Sequence, residues 1–185
     1  MIERAIKVAA KAHKNQTRKC TDIPYITHPY TVGMMLLREG LSEEIVAAGI
    51  LHDTVEDTSI TLEFIQREFG EKVAKIVKGC SEPDKTLPWE DRKKHTIEYL
   101  KTASFEEQVV SCADKLHNIS TMYEAYKKMG EKVWQRFKRG RDKQEWYYKS
   151  LVEVLCTEEN LNSGIILFKE FKNMVDKMFS NNFKG

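Results

Sequence analysis

The chain contains 185 residues, 41% of them hydrophobic and 31% charged, and 30 basic side chains against 28 acidic ones leave a net charge of +2. This length is sufficient to bury a substantial core, and the composition excludes a disordered or low-complexity chain. The near balance of charge gives no reason to expect a nucleic-acid partner, although local groups of basic residues remain able to bind phosphates.

Four cysteines are scattered along the sequence without a C-x-x-C motif, which argues against a structural zinc site and a disulfide framework. We therefore expect a reducing, cytoplasmic environment. The first residues are charged rather than apolar, so they do not resemble a signal peptide. No segment approaches the ~20 apolar residues that a membrane span requires, so we expect no transmembrane helix.

Apolar residues recur at intervals of three and four almost throughout the chain, and strand-like alternation is nearly absent, which predicts an all-α fold. We expect one compact helical domain over residues 1–185, with its core in residues 2–155. Ser42 is a candidate N-cap, whereas two prolines within residues 81–88 predict a loop. In chain order the predicted helices cover residues 2–12, 29–38, 42–53, 61–69, 71–77, 89–101, 105–127, 132–137, 141–155 and 163–178.

An adjacent histidine–aspartate pair, His52-Asp53, stands at the end of a long apolar stripe and is followed by Glu56 and Asp57. On a continuous helix His52 and Asp53 would point about 100° apart, so both can reach one ion only near a helix end. Glu56 is four residues after His52, and Asp57 is four after Asp53, which directs these side chains to one region. So much negative charge next to a core segment indicates a bound cation.

Two further residues are expected to converge on the same ion. His28 precedes a proline upstream of the pair, where taken alone it would be interpreted as a capping or packing residue. Asp114 follows an apolar run that should be buried. Asn118 and Thr121 are four and seven residues after Asp114, so the three share one helical face. Two imidazoles and two carboxylates suit a divalent transition metal that keeps positions open for water and substrate. These residues predict a metal-dependent hydrolase.

Basic residues upstream of His28 are candidates for binding a substrate. Arg18 and Lys19 would supply cationic donors for a phosphate close to the metal. The longer basic stretch at residues 136–143 and the basic residues around His95 are interpreted as solvated faces. The remaining histidines and the aromatic residues of the later helices are interpreted first as packing or surface residues: His13, His117, Trp134, Trp146, Tyr147 and Tyr148.

Together these motifs resemble the HD superfamily of metal-dependent phosphohydrolases, and within it the hydrolase domain of RelA/SpoT homologues and the small alarmone hydrolases. The resemblance extends over about residues 2–155. The chain departs from the family pattern at Ile23, which replaces the usual glycine. The motifs that carry the resemblance are Ala12-His13 with Gln16 and Arg18-Lys19, Pro24-Tyr25-Ile26-Thr27-His28-Pro29, Leu51-His52-Asp53-Thr54-Val55-Glu56-Asp57-Thr58, and Ala113-Asp114-Lys115-Leu116-His117-Asn118.

The resemblance implies a role for each matched residue. One divalent metal, typically manganese, would be held by His28, His52, Asp53 and Asp114. Glu56 and Asp57 would position and activate the attacking water. The implied reaction removes pyrophosphate from the 3′ position of ppGpp or pppGpp and leaves GDP or GTP.

The resemblance also implies which residues hold the guanine nucleotide. Arg18 and Lys19 would bind it, with Arg18 packed against the base. Asn118 and Thr121 would contact the ribose or its 3′ phosphates, and Tyr147 would lie beside the nucleotide. The residues after the matched region are too few for a synthetase domain, and no glycine-rich phosphate loop is present, so we expect an enzyme that only degrades the alarmone.

Two other functions remain open from the sequence. A phosphatase acting on another nucleotide, such as NADPH or a deoxynucleotide, would need the same metal and the same cationic groups. A nucleotide-binding protein that has lost catalysis is disfavoured, because every metal and acid–base position of the motif is filled.

Overall fold

The computed structural model describes residues 1–19, 21–82 and 86–180. Within these residues the secondary structure is helical, and the extended pairing found there is an isolated bridge between Thr17 and Pro24. The all-α prediction is confirmed. In chain order the elements are α1 (Ile2–Ala12), α2 (Thr27–Arg38), α3 (Glu43–Leu51), α4 (Thr54–Asp57), α5 (Leu62–Phe69), α6 (Glu71–Cys80), α7 (Trp89–Leu100), α8 (Phe105–Met129), a 3-10 helix (Gly130–Arg136), α9 (Gly140–Leu155), α10 (Glu158–Asn162) and α11 (Leu167–Phe179).

The longest helix, α8, is set by clear start and stop signals. Ser104 and Glu107 form a capping box, in which the Ser104 hydroxyl accepts from the Glu107 N–H and the Glu107 carboxylate accepts from the Ser104 N–H. Gly130, with φ at 56°, ends the helix in a conformation that favours glycine. Its 25 residues span roughly 37 Å, so α8 crosses the molecule and contacts α2, α3, α6, α9 and α11.

The helix that delivers the His–Asp pair, α3, is buried along most of its length, from Ile45 to Leu51. It packs very closely on α2, because a Cβ atom built on Gly49 would lie 2.3 Å from Leu36 Cδ1. In the same way, a Cβ on Gly33 would lie 2.3 Å from Ile50 Cγ1. The absence of side chains at these two glycines therefore sets how near the two helices approach, and with it the position of the C-terminal end of α3.

Several predicted boundaries differ from the structure. The third predicted helix does not run through the His–Asp pair: α3 ends at Leu51, and α4 begins at Thr54. The predicted final helix over residues 163–178 is wrong at its start, because Gly164 has φ at 87° and separates α10 from α11. Of the helix predicted over residues 132–137, residues 132–136 belong to the 3-10 helix, and Phe137 after it is extended.

Parts of two sequence expectations lie outside the described residues. Residues 83–85 of the predicted loop are outside them, and so is Cys20. The cysteines that are described, Cys80, Cys112 and Cys156, are free thiols. Among the helices of the described residues, none combines the length and the apolar character that crossing a bilayer requires.

Candidate active site

Four polar side chains from distant parts of the sequence converge beside α8. His28 comes from the first turn of α2, His52 and Asp53 from the turn between α3 and α4, and Asp114 from the middle of α8. His28 Nε2 lies 3.1 Å from Asp114 Oδ1 and 3.6 Å from Asp53 Oδ2. His52 Nε2 lies 3.2 Å from Asp53 Oδ2 and 3.7 Å from Asp114 Oδ1. The structure thus brings together all four residues predicted to hold a metal.

The hydrogen bonding of His52 tests whether this group suits a cation. Its Nδ1 lies 2.7 Å from the carbonyl oxygen of Gly49, so Nδ1 carries a proton and donates it. Its Nε2 is buried and has no partner in hydrogen-bonding geometry, although two carboxylates lie within ion-pair distance. Nε2 therefore turns toward the two carboxylates, an arrangement that a cation stabilises. A donor set of two imidazole nitrogens and two carboxylates fits a divalent transition metal.

The charges around the group favour a cation as well. Burial lowers the pKa of His52, but the carboxylates of Asp53 and Asp114 outweigh burial and raise this pKa well above its ordinary value. Burial raises the pKa of Asp114, but the Lys115 ammonium and the two histidines hold this pKa well below its ordinary range. The carboxylates are therefore ionised at neutral pH, and one atom each from His28, His52 and Asp114 lies within 4.8 Å of the others.

His117, which the sequence alone assigns to packing or surface, contacts a member of this group. Its Nδ1 lies 2.6 Å from Nδ1 of His28, and the two rings stack with their centroids 4.9 Å apart. Burial, followed by the charges of His28 and Arg18, lowers the pKa of His117 to about 4. His117 is therefore neutral near pH 7 and can accept a proton from His28 Nδ1, which leaves His28 Nε2 to face Asp114. The signal in the sequence is its position three residues after Asp114.

The two acidic residues of α4 lie next to this group. Glu56 and Asp57 line a small cavity of about 170 Å³, which we call the metal-side cavity, together with His28, Asp53 and Asp114. The Glu56 carboxylate accepts a hydrogen bond of 3.0 Å from the backbone N–H of Glu82, two residues after the end of α6. This contact orients Glu56 through the backbone of another segment.

Asp57 is held from the opposite side, by residues after α1. The side-chain amide of Gln16 donates to the backbone carbonyl of Asp57 at 2.7 Å, and its Oε1 lies 2.7 Å from Nδ1 of His13. His13 is only 1% exposed, and its ring lies 4.9 Å from that of Tyr25. The Tyr25 hydroxyl donates to Asp53 Oδ2 at 2.7 Å. His13, which the sequence assigns to packing, thus belongs to a network that reaches both Asp53 and Asp57.

A second cavity of about 1130 Å³, called here the large cavity, adjoins the metal-side cavity and shares Tyr25, Lys93, Lys115 and Asn118 with it. All the residues predicted to bind substrate line the large cavity: Arg18, Lys19, Asn118, Thr121 and Tyr147.

Hydrogen bonds connect two of these substrate candidates to the acidic group. The guanidinium of Arg18 donates to Asn118 Oδ1 at 2.9 Å, and the Asn118 amide donates to Asp114 Oδ1 at 2.6 Å. A continuous chain of polar contacts therefore runs from the loop after α1 to the middle of α8. Thr121 is more peripheral: its hydroxyl donates to the backbone carbonyl of Asn118 at 2.9 Å.

Cations that the sequence left without a role also face these cavities. Lys115 Nζ lies 2.6 Å from Asp114 Oδ2, and Lys93 Nζ lies 2.5 Å from a Glu82 carboxylate oxygen and 5.0 Å from the Tyr147 ring centroid. The interpretation of the basic stretch at residues 136–143 as a solvated face is wrong for Arg136, which lines the large cavity. The local sequence offers no signal for Lys93 or Arg136, because both lie within runs of basic residues.

The HD domain family model matches residues 5–143 of the chain. The chain belongs to the HD-domain family. Within this HD domain, the His52-Asp53 pair occupies the turn after a buried helix, and the matched range includes His28, Asp114 and the acidic pair on α4.

This HD domain is similar in sequence to proteins whose names describe reactions of guanine nucleotides. Over 124 residues, 65% of this chain, it is 41% identical to a GTP pyrophosphokinase of Streptomyces coelicolor, of which it covers 14%. Over 117 residues, 62% of the chain, it is 40% identical to the zebrafish guanosine-3′,5′-bis(diphosphate) 3′-pyrophosphohydrolase MESH1, of which it covers 64%. The chain thus spans less than two thirds of the length of either relative.

A solved structure extends the likeness to nearly the whole chain. It is that of a metazoan ortholog of SpoT that hydrolyses ppGpp, and it is 25% identical to this chain with a TM-score of 0.77. The match covers 95% of this chain and 94% of that one.

Proposed function

We propose that this HD domain is a metal-dependent hydrolase of ppGpp and pppGpp, which removes pyrophosphate from the 3′ position and leaves GDP from the first and GTP from the second. The observation that carries the proposal is the convergence of two imidazoles and two carboxylates at the end of a cavity lined with cations. The names of MESH1 and of the metazoan SpoT ortholog support this choice of substrate. We also propose that the chain forms one domain and acts in the cytoplasm.

The metal would be held by His28, His52, Asp53 and Asp114, and manganese is our proposal for it because the donors mix imidazole with carboxylate. When bound, a divalent ion supplies Lewis acidity toward phosphate oxygens and lowers the pKa of a water molecule. His117 keeps the proton of His28 on Nδ1, and Gly49 does the same for His52, so each Nε2 faces the carboxylates.

Glu56 and Asp57 are proposed to position the attacking water and to accept its proton. The Glu82 N–H fixes the direction of the Glu56 carboxylate, and Gln16 fixes the backbone at Asp57, so both acids are held before substrate binds. Such preorganisation lowers the barrier, because no reorganisation is required during the reaction. Lys115 and Lys93, which line the metal-side cavity, would neutralise the negative charge of the leaving pyrophosphate.

The remaining part of the substrate is proposed to occupy the large cavity. Arg18 would stack on the guanine and Lys19 would approach its polar edge, since both line the cavity beside Asn118. Asn118 and Thr121 would contact the ribose and its 3′ phosphates. Tyr147, which is 4% exposed, would form the wall next to the nucleotide.

One observation favours a second candidate substrate. The large cavity, at about 1130 Å³, is slightly above the ~300–1,000 Å³ of most ligand sites, so it has room for a dinucleotide such as NADPH. Incubation of the manganese-loaded protein with ppGpp, NADPH and a 5′-deoxynucleotide, with products separated by ion-exchange chromatography, decides between them. We expect GDP and pyrophosphate from ppGpp. Release of phosphate from NADPH or the deoxynucleotide, with ppGpp intact, would overturn the alarmone proposal.

A further inference from the structure

Two cations line the large cavity far from the metal ligands. Lys128 lies fourteen residues after Asp114 on α8, roughly 21 Å along the helix axis, and Arg136 ends the 3-10 helix that follows. We call these two residues the distal pair. The large cavity therefore has a basic group at each end: Arg18, Lys93 and Lys115 near the metal ligands, and the distal pair beyond the substrate residues.

The distal pair is not neutralised by neighbouring acids. Among the described residues, no carboxylate oxygen lies within 4.0 Å of Lys128 or Arg136. Their neighbours differ: Lys127 pairs with Glu124 at 2.7 Å, and Arg139 pairs with Glu90 at 3.2 Å. The positive charge of the distal pair is therefore available to a ligand in the cavity.

The wall between the two basic ends is largely apolar. Such a wall keeps water away from charged groups and strengthens their attraction for an anion. It also suits the uncharged part of a ligand better than a second charged group. The apolar and aromatic residues of this wall are Met122, Ala125, Met129, Val133, Phe137, Tyr147 and Tyr148.

We propose that the distal pair is a second anion subsite, which binds the 5′-diphosphate of a nucleoside while the phosphate to be cleaved lies at the metal ligands. Asn118, the residue proposed to contact the ribose, is ten residues before Lys128, which is roughly 15 Å along α8. The lysine side chain reaching from one end and a diphosphate reaching from the ribose at the other together span this distance. The proposal rests on the proposed function for its choice of nucleotide. It makes the enzyme selective for substrates charged on both sides of the ribose.

Kinetics with substrates that differ only at the 5′ position test this subsite. Guanosine 3′-diphosphate carrying a 5′-diphosphate, a 5′-monophosphate or a 5′-hydroxyl would be compared in Lys128→Gln, Arg136→Gln and the double variant. We expect each single change to raise KM for the 5′-diphosphate about tenfold, the effect of one charge-assisted hydrogen bond, with kcat unchanged. KM for the 5′-hydroxyl substrate should not change.

Lys138→Gln is the matched control. Lys138 is two residues after Arg136, is exposed, carries the same charge, and does not line the large cavity. Its KM for each of the three substrates should equal that of the unmodified enzyme. Equal rises in KM for all three substrates in the Lys128 and Arg136 variants, or no rise at all, would overturn the subsite.

Equilibrium binding separates failure of the subsite from failure of the proposed function. Titration calorimetry of the metal-loaded protein with GDP and with guanosine measures the contribution of the 5′-diphosphate without any turnover. The unmodified protein should bind GDP more tightly than guanosine, and the double variant should lose this difference. If ppGpp is not hydrolysed but the difference is present and is lost in the double variant, the subsite stands without the proposed reaction. If the difference survives in the double variant, the subsite is refuted.

Discussion

Gly49→Ala is expected to loosen the contact between α2 and α3 and to disturb the metal site at the same time. The new methyl would lie 2.3 Å from Leu36 Cδ1, so Leu36 or the helix must move by about 1 Å to restore van der Waals separation. Overpacking of this kind costs ~1–3 kcal/mol, and the higher helix propensity of alanine offsets ~1 kcal/mol of it. We expect a net loss of roughly 1 kcal/mol in the free energy of unfolding, which corresponds to a fall in Tm of about 2–4 °C for a chain of this size.

The same change should weaken metal binding, because the carbonyl of Gly49 holds Nδ1 of His52 at 2.7 Å. Thermal unfolding and manganese titration calorimetry measure the two effects on one sample. Leu36→Ala leaves a cavity and costs ~2–5 kcal/mol alone, but in the double variant the methyl at position 49 fills part of that space. We therefore expect a favourable coupling of at least ~1 kcal/mol between the two changes.

Leu37→Ala provides the control for this cycle, because Leu37 is 45% exposed and Gly49 has no close contact with it. Its effect should add to that of Gly49→Ala within about 0.5 kcal/mol. If Gly49→Ala raised Tm, or if its effect added simply to that of Leu36→Ala, the close approach of α2 and α3 would be refuted as the cause.

Four further changes test the site and the fold. Asp53→Ala should leave a helical protein that no longer retains manganese on gel filtration, because one of the two carboxylates facing the imidazoles is lost; retention of one equivalent would contradict the ligand set. Glu56→Gln should keep the metal and lower kcat by ~10²-fold, the scale of a general acid–base group, and loss of metal would instead make Glu56 a ligand. Gln16→Leu should keep the metal and leave KM unchanged while kcat falls ~10-fold, because the variant loses the hydrogen bond that holds the backbone of Asp57. An unchanged kcat would show that Gln16 does not position Asp57. Burial raises the pKa of Glu107, but hydrogen bonds from Tyr99 and Ser104 outweigh burial and lower this pKa below its ordinary value of 4.5. The unfolded chain therefore binds this proton more readily, so the stability that Glu107 contributes is present above pH 4.5 and is lost as the pH falls. In urea unfolding, the free energy of unfolding should differ less between pH 7 and pH 3 in Glu107→Gln than in the unmodified protein.

Local patterns in the sequence predict much of this molecule. The spacing of apolar residues is sufficient for the helical class, because each amphipathic helix carries its own period. The adjacency of His52 and Asp53 is an equally local signal. Two neighbouring side chains can reach one ion only at a helix end, and the structure places both in the turn between α3 and α4. Asp114 could be added because it follows an apolar run that should be buried, and His28 because its His28-Pro29 motif resembles that of the HD superfamily.

The contacts that orient these residues could not be predicted in the same way. His117 contacts His28 across 89 residues of sequence, and Gln16 contacts Asp57 across 41. Such pairs depend on how helices are placed against each other, and the helical period gives only the direction of a side chain relative to its own axis. Lys93 shows the same limit, because its neighbours in sequence are also basic and only the position of α7 turns it toward the cavities.

The two sides of α8 have separate tasks, and this separation bears on how this HD domain can diverge. Val109, Cys112 and Ile119 on one side are fully buried in the core, whereas Asn118 and Lys128 on the other line the large cavity. Substitutions on the cavity side alter the surface that the proposed nucleotide would meet without repacking the core side of the helix. New substrate preferences can therefore evolve on three turns of a single helix while the folding stability and the metal ligands are inherited unchanged.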